Sequence, residues 1–203
     1  MEAATAAPRE SGRSRPGTSR VASLVIMAVT AAVILAVAFL VNQPPPATQG
    51  LTAVTTTGQA TGDPPTVGNL APDFTATTVD GKQVRLSDFK GQPVWLTFGA
   101  SWCQPCRAEN PDIQAAYEAS RGSGVVVLQV FMSEDAATVA DYAKRVGLTY
   151  EKVADPDTRL ASQYQILGIP THFFIDRSGV LRKIKVGSLD PTLMTAALQE
   201  IGG

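Results

Sequence analysis

The chain has 203 residues, of which 44% are hydrophobic, and a formal net charge of −1. That length accommodates one ordinary domain with appendages. The near-neutral charge excludes the basic footprint of a nucleic-acid-binding domain, and one histidine with two cysteines falls short of a four-ligand zinc site.

The N-terminal region predicts a membrane anchor. Residues 1–20 carry four arginines against two glutamates, and residues 21–41 are uncharged. Such a run can span a bilayer core of roughly 30 Å. By the positive-inside rule we expect residues 1–20 to stay cytoplasmic and the chain after residue 41 to be exported. A single-pass signal-anchor at the cell membrane is favoured over a cleaved signal peptide with a site at 36–38, because signal peptides usually have an apolar region of about 7–15 residues.

A Pro/Thr/Gly-rich stretch at 42–65 predicts a flexible linker, and residues 66–203 predict one α/β domain. Short β-branched runs indicate buried strands, and helical spacing between them indicates connecting helices. In chain order we expect an early hairpin strand at 84–86, strands at 93–99 and 124–131, helices at 106–120, 135–146 and 157–164, a strand at 172–176, its hairpin partner at 180–186 and a closing helix at 191–201. These elements predict a mixed sheet.

The two cysteines, Cys103 and Cys106, are separated by Gln104 and Pro105, between an apolar strand and a helix. A disulfide across so short a ring constrains little unfolded-chain entropy, so it is a poor structural staple. At a helix N-terminus, orphan N–H groups and the macrodipole stabilise a thiolate. The motif therefore predicts a redox-active disulfide, with Cys103 as the partly exposed nucleophile and Cys106 as the buried resolving thiol.

A peroxide-reducing alternative is weaker. A peroxiredoxin places a proline seven residues and a threonine three residues before its reactive cysteine, and here those positions hold Leu96 and Ala100. The dipeptide Gln104-Pro105 contains no cation or histidine that would strongly stabilise the reduced form. We therefore expect a reducing to intermediate potential rather than a strong oxidant.

Trp102 before the motif and Ile169-Pro170-Thr171 before a later strand complete a wider pattern, in which the chain resembles the thioredoxin superfamily. More closely, it resembles the membrane-anchored ResA/TlpA-like thiol-disulfide oxidoreductases. The narrower resemblance rests on Ala71-Pro72-Asp73-Phe74, on an extra strand and helix near 124–147, on Glu109-Asn110-Pro111 and on Phe174-Ile175-Asp176. It implies a thioredoxin-like fold with an N-terminal hairpin and a central insertion.

The resemblance also implies that the Ile169–Pro170 bond is cis and lies beside the cysteines, where the backbone of Ile169 would pair with a client. Cytosolic thioredoxins place a buried Asp six residues before the first cysteine, and here Thr97 stands there instead. Glu109, an acid shared with the ResA-like pattern, lies one turn after Cys106. We expect it to tune the pair and to move the proton of Cys106.

The residues around the cysteines complete the predicted site. Trp102 is expected to shield the cysteine pair and shape the client surface, together with Gln104 and Pro105. His172 is expected to be a packed strand residue, because ligand partners beyond the cysteines are missing. The sequence predicts no metal and no cofactor other than the Cys103–Cys106 disulfide.

The predicted function is disulfide reduction in exported proteins. The family suggests apocytochrome c or copper-site proteins as clients and a membrane thiol reductant of the CcdA/DsbD type. Two alternatives stay open: a Sco-like copper-binding module, although such modules have CxxxC and a histidine ligand, and a thiol oxidant for protein folding.

Overall fold

The computed structural model describes residues 20–41 and 64–202, which fall in two separate units of the chain. The first unit contains helix α1 (Arg20–Val41), whose large apolar side chains are exposed. Across the ranges 20–41 and 64–202, no helix has both the length and the apolar character needed to cross a membrane. The predicted transmembrane helix is therefore not confirmed. The predicted tail before residue 20 and the predicted linker up to residue 63 lie outside the described residues.

The second unit is built on a five-stranded mixed sheet, as predicted. The strands of the unit are β1 (Thr75–Thr77), β2 (Gln83–Arg85), β3 (Val94–Gly99), β4 (Val126–Met132), β5 (Glu151–Asp155), β6 (Thr171–Ile175) and β7 (Leu181–Val186). Strands β1 and β2 form a two-stranded hairpin that precedes the sheet. The sheet has the order β5-β4-β3-β6-β7; the first three strands run parallel, and β6 and β7 run antiparallel to their neighbours.

Four helices follow the predicted pattern closely: α2 (Gln104–Ser120), α3 (Ala136–Val146), α4 (Arg159–Gln163) and α5 (Pro191–Gly202). Helix α3 begins where the Asp135 carboxylate accepts the Thr138 N–H at 2.8 Å, and it ends at Gly147, whose φ of 80° suits glycine. Helix α4 is shorter than predicted, because Thr158 directly before it has a left-handed φ of 54°.

Strand β5 was not predicted. Its sequence, Glu151-Lys152-Val153-Ala154-Asp155, begins with two charged residues and ends with a third, although all but the first residue are buried. Lys152 reaches the Leu148 carbonyl at 3.3 Å, and the Asp155 carboxylate accepts two backbone N–H groups at the start of α4. Local partners thus allow these charged side chains to be buried.

Side-chain alternation along the sheet divides the core into two faces. Even positions of β3 (Val94, Leu96, Phe98) pack with the hairpin and α4, whereas Trp95 packs with residues of α2, α3 and α5. Thr97 pairs in register with Gln129 on β4 and with His172 on β6. The α2 face of the sheet therefore carries a row of polar side chains beneath the helix that follows Cys103.

Both outer strands of the sheet receive extra backbone partners. At β7, the Gly68 N–H donates to Leu181 O at 2.8 Å, and the Leu181 N–H donates to Asn69 O at 2.9 Å. At β5, the Val79 N–H donates to Lys152 O at 2.9 Å. The segment that enters the domain thus covers part of the β7 edge, and the turn of the hairpin covers part of the β5 edge.

Candidate active site

The cysteine motif lies where β3 ends and α2 begins. After Gly99 the chain turns, and Cys103 takes the extended N-cap conformation with φ −77° and ψ 113°. Pro105 occupies the first turn, where a missing N–H costs nothing. Cys103 and Cys106 are joined in a disulfide, with their Cα atoms 5.3 Å apart. The strand, turn and helix thereby place both sulfurs at the carboxyl end of a central strand.

Exposure around the pair differs from the expectation in one respect. Cys103 was expected to be partly exposed, but it retains only 6% exposure, against 1% for Cys106. It is nearly buried because Ala100 and Ile169 pack against the pair. The surrounding surface is supplied by Trp102, which is 60% exposed, and by the exposed Gln104 and Pro105.

The segment before β6 lies against the cysteines. The Ile169–Pro170 peptide bond is cis, and the Ile169 carbonyl oxygen lies 4.0 Å from the Cys103 sulfur. The buried Pro170 offers its carbonyl to the Gly187 N–H at 2.8 Å, which ties the segment to the end of β7. The structure therefore brings together two segments, 66 residues apart in sequence, that the resemblance placed beside each other.

Glu109 is buried at 3% exposure on the inner face of α2, which it shares with Cys106 and Asn110. Its Oε1 accepts the backbone N–H of Leu189 at 2.7 Å, in the loop before α5. Its Oε2 is buried without a hydrogen-bond partner. Glu109 thus lies on the same face of α2 as Cys106, as predicted, and its Oε2 is available to accept a proton.

His172 is a packed strand residue, as expected, with no exposed surface. The Trp95 indole N–H donates to its Nδ1 at 3.3 Å, and its Nε2 lies 3.3 Å from Glu109 Oε1 without forming a hydrogen bond. With both nitrogens facing these groups, the ring gives no support to the copper-ligand alternative. Thr97, which stands where cytosolic thioredoxins have a buried Asp, is buried beside His172, and its hydroxyl has no hydrogen-bond partner among the described residues.

The sequence did not single out Glu134, which fixes the loop before the cysteines. Its carboxylate accepts the Ser101 backbone N–H at 2.7 Å and also the Ser101 hydroxyl. Ser101 follows β3 and Glu134 follows β4, so the two lie at the same end of neighbouring parallel strands. The sequence did contain a signal for this contact: polar residues that directly follow two neighbouring parallel strands are expected to lie together at the carboxyl edge of the sheet.

A buried network of hydrogen-bonded amide and tyrosine side chains was also not predicted from the sequence. The Tyr150 hydroxyl donates to Gln129 Oε1 at 2.7 Å, and the Gln129 amide donates to Asn110 Oδ1 at 3.0 Å. The Asn110 amide in turn donates to the Tyr142 hydroxyl at 2.9 Å. Burial raises the pKa of Tyr150 well above its usual value, with smaller contributions from Tyr142 and Glu109. The Tyr150 hydroxyl therefore stays neutral.

Gly99 is the point where this network approaches the cysteines. A Cβ added there would lie 3.1 Å from Gln129 Nε2 and 3.5 Å from the Cys106 sulfur. The absence of a side chain on Gly99 thus lets the amide and the sulfur approach β3 from the same side.

In the ranges 20–41 and 64–202, no three histidine, cysteine or acidic side chains come together as a metal-binding group would require.

Comparison with known proteins agrees with this geometry. The sequence profile of the AhpC/TSA family matches residues 67–184. The thiol-disulfide oxidoreductase ResA of Geobacillus kaustophilus (strain HTA426) is 37% identical over 123 residues, which cover 61% of this chain and 71% of that protein. ResA of Bacillus subtilis (strain 168) is 31% identical over 127 residues, which cover 63% and 71%.

Among solved structures, a thiol:disulfide interchange protein of the thioredoxin family from Chlorobium tepidum TLS superposes with a TM-score of 0.61 at 28% identity. The match covers 66% of this chain and 97% of that one. It spans the described domain and shows that the α/β architecture above is thioredoxin-like.

Proposed function

The chain belongs to the AhpC/TSA family and is a protein-disulfide oxidoreductase of the ResA type, and on that premise we propose that it reduces disulfides of exported proteins. The observation that carries the proposal is the Cys103–Cys106 disulfide at the start of α2, beside the cis Ile169–Pro170 bond. A bond that closes so short a ring adds little stability, which suits a pair that opens and closes during turnover.

In the proposed reaction the reduced protein acts in two exchanges. The Cys103 thiolate attacks a client disulfide, one client sulfur leaves as a thiolate, and a mixed disulfide forms. Cys106 then attacks Cys103; its S–H bond breaks, the internal disulfide forms and the second client sulfur leaves. The client gains two electrons and the cysteine pair loses two.

Cys106 must lose its proton in the second exchange, and we assign that proton to Glu109. Support comes from the placement of Glu109 on the Cys106 face of α2, from its burial and from its open Oε2. A carboxylate that lies inside the protein can accept the proton without admitting water. Thr97, at the position of the acid in cytosolic thioredoxins, cannot titrate.

The client would lie along the surface formed by Trp102, Gln104 and Pro105. Ile169 would offer its backbone for strand-like pairing, since its carbonyl lies 4.0 Å from the Cys103 sulfur. Disulfides of apocytochrome c or of copper-site proteins are the proposed clients. A membrane thiol reductant of the CcdA/DsbD type would restore the reduced pair, and no cofactor other than the cysteines takes part.

The proposed location is the outer side of the cell membrane, with the N-terminus cytoplasmic. Support comes from the arginines before residue 21 and the uncharged run at 21–41. Protease added to intact spheroplasts should then digest the domain at 66–203 and spare an N-terminal epitope tag. Digestion of the tag, or protection of both, would contradict this topology.

The function is tested by reduction of a protein disulfide with the full-length chain, after reduction of its own pair. We expect stoichiometric thiol release and a reduction potential more negative than about −120 mV, the value of a strong oxidant. Titration with Cu(I) serves as the contrasting assay. Tight copper binding without disulfide reduction would favour the metallochaperone alternative, and a potential at or above that value would favour the oxidant.

A further inference from the structure

His172 is the only histidine of the chain, and it lies fully buried on β6 two residues after Pro170. Its two ring nitrogens face different groups. Nδ1 lies 3.3 Å from the Trp95 indole nitrogen, and Nε2 lies 3.3 Å from Glu109 Oε1. The imidazole therefore bridges β3 and the acid on α2.

The Trp95 contact determines the form of the imidazole. An indole N–H can only donate, so Nδ1 must be the acceptor. The ring is then neutral and carries its single proton on Nε2, the nitrogen that faces Glu109. A doubly protonated ring would set an Nδ1–H against the indole N–H. Trp95 thus fixes both the charge of His172 and the direction in which it donates.

Among the described residues, His172 Nε2 and Glu109 Oε2 are both buried without a hydrogen-bond partner. Glu109 Oε1 accepts the Leu189 N–H and lies 3.3 Å from His172 Nε2. A buried donor beside a carboxylate is strongly favoured to pair with it, and a small rotation of the ring would complete a bond to Oε1, which leaves Oε2 open for the proton of Cys106. Burial, with smaller contributions from Tyr142 and Glu109, raises the pKa of Tyr150, so its hydroxyl stays neutral and places no second charge beside the acid.

We propose that His172 is a positioning residue that acts through Glu109, holding the carboxylate with its Nε2–H while Cys106 resolves the mixed disulfide. The inference rests on the proposed function. In the resolving step the Cys106 proton passes to Glu109, the Cys103–Cys106 bond forms, the Cys103–client bond breaks and the client leaves as a thiolate. His172 neither gains nor loses a proton.

The test measures the two exchanges separately in the full-length chain by stopped-flow. Mixed-disulfide formation is followed in a Cys106→Ser background, and resolution is followed with both cysteines present. His172→Leu should slow resolution about 10-fold and leave the first exchange unchanged. His172→Gln should recover most of the rate, since its amide can donate. Thr97→Val, a buried change on the neighbouring strand, is the matched control and should leave both rates unchanged.

The double variant Glu109→Gln/His172→Leu should be no slower than Glu109→Gln alone, because His172 acts only through the acid. Additive losses, or equal slowing of both exchanges, would overturn the proposal. If Glu109→Gln slows resolution and His172→Leu does not, this inference fails and the proposed function stands. If Glu109→Gln has no effect, the proposed proton route fails, and the inference falls with it.

A second variant keeps the test valid if His172→Leu does not fold. Trp95→Phe removes the indole N–H, so this contact no longer keeps the ring proton on Nε2. Resolution should then slow while the first exchange keeps its rate. Resolution at the wild-type rate would contradict the assigned role of Trp95 and would overturn the proposal.

Discussion

The backbone N–H of Cys106 donates to the sulfur of Cys103 across 3.2 Å. The first turn of α2 therefore already directs a donor at the outer sulfur, in addition to the dipole of the helix. Once the disulfide is opened, negative charge is better stabilised on Cys103 than on Cys106, which lies one turn inside the helix. This asymmetry assigns different roles to two residues of the same type.

Cys106→Ser should accumulate mixed disulfides, because Cys103 can still attack but no thiol can resolve the adduct. Cys103→Ser should accumulate almost none, since its remaining thiol is buried. Both variants should lose turnover. Non-reducing electrophoresis followed by mass spectrometry measures the adducts and identifies clients. Equal trapping by the two variants would contradict the assigned order of attack.

Glu134→Gln should loosen the turn that carries Trp102, because a charged acceptor for two Ser101 donors becomes a weaker neutral one. We expect a loss of about 1–3 kcal/mol in the free energy of unfolding of the oxidised protein, measured with urea. Glu118→Gln, on the exposed face of α2, is the matched control and should change it by less than about 0.5 kcal/mol. A loss no larger than that of the control would refute the anchoring role.

Gly99→Ala should disturb Cys106 directly. Its Cβ would press on the Gln129 amide, which the Asn110 and Tyr150 hydrogen bonds keep from moving away. Overpacking of this kind costs about 1–3 kcal/mol, and we also expect slower resolution. Gly122→Ala, where an added Cβ meets nothing within 4 Å, is the control. Equal behaviour of the two variants would show that the site tolerates a side chain at Gly99.

Asp176 predicts a pH-dependent contribution to stability. Burial raises its pKa, but hydrogen bonds from Ser178, Val180 and Arg182 outweigh this and lower the pKa from 3.8 to about 2. The folded state therefore favours the ionised form, so the stabilisation is present above pH 3.8 and is lost as the pH falls towards 2. Asp176→Asn should cost on the order of 1 kcal/mol at pH 7, and this cost should shrink as the pH falls through about 2, as measured by denaturation across that range.

Asp157→Asn is the control for this prediction, because that carboxylate is 68% exposed and pairs with Arg159 at 3.6 Å. Exposed pairs of this kind contribute little. A loss at Asp176 that does not vary with pH would mean that shape rather than charge holds the turn after β6.

The elements with strong local signals were predictable from sequence. Helix α3 has Asp135 at its start and Gly147 at its end, and β3 is an unbroken apolar run. Strand β5 was missed because its charged residues find partners only after folding: Asp155 caps a helix that follows it. The periodicity of apolar residues in the sequence does not predict such contacts.

The residues of the active site likewise fall into those that the sequence predicted and those that it did not. Cys103, Cys106 and Pro170 were found because their spacing is short or because the resemblance links them. Glu134 was not, since it follows β4 whereas its partner Ser101 follows β3. The Trp95–His172 contact likewise depends on the antiparallel register of β3 and β6, which places these side chains on one face. Contacts between distant residues require the strand order before they can be inferred.

The pairing of the entry segment with β7, and of the hairpin with β5, has a consequence for crowding. Exposed outer strands are templates on which further molecules can add, and this is a route to fibrils. Here Gly68 and Asn69 occupy one such border, and Val79 occupies part of the other. A second copy that meets either border therefore finds fewer unpaired backbone groups on which to add a strand.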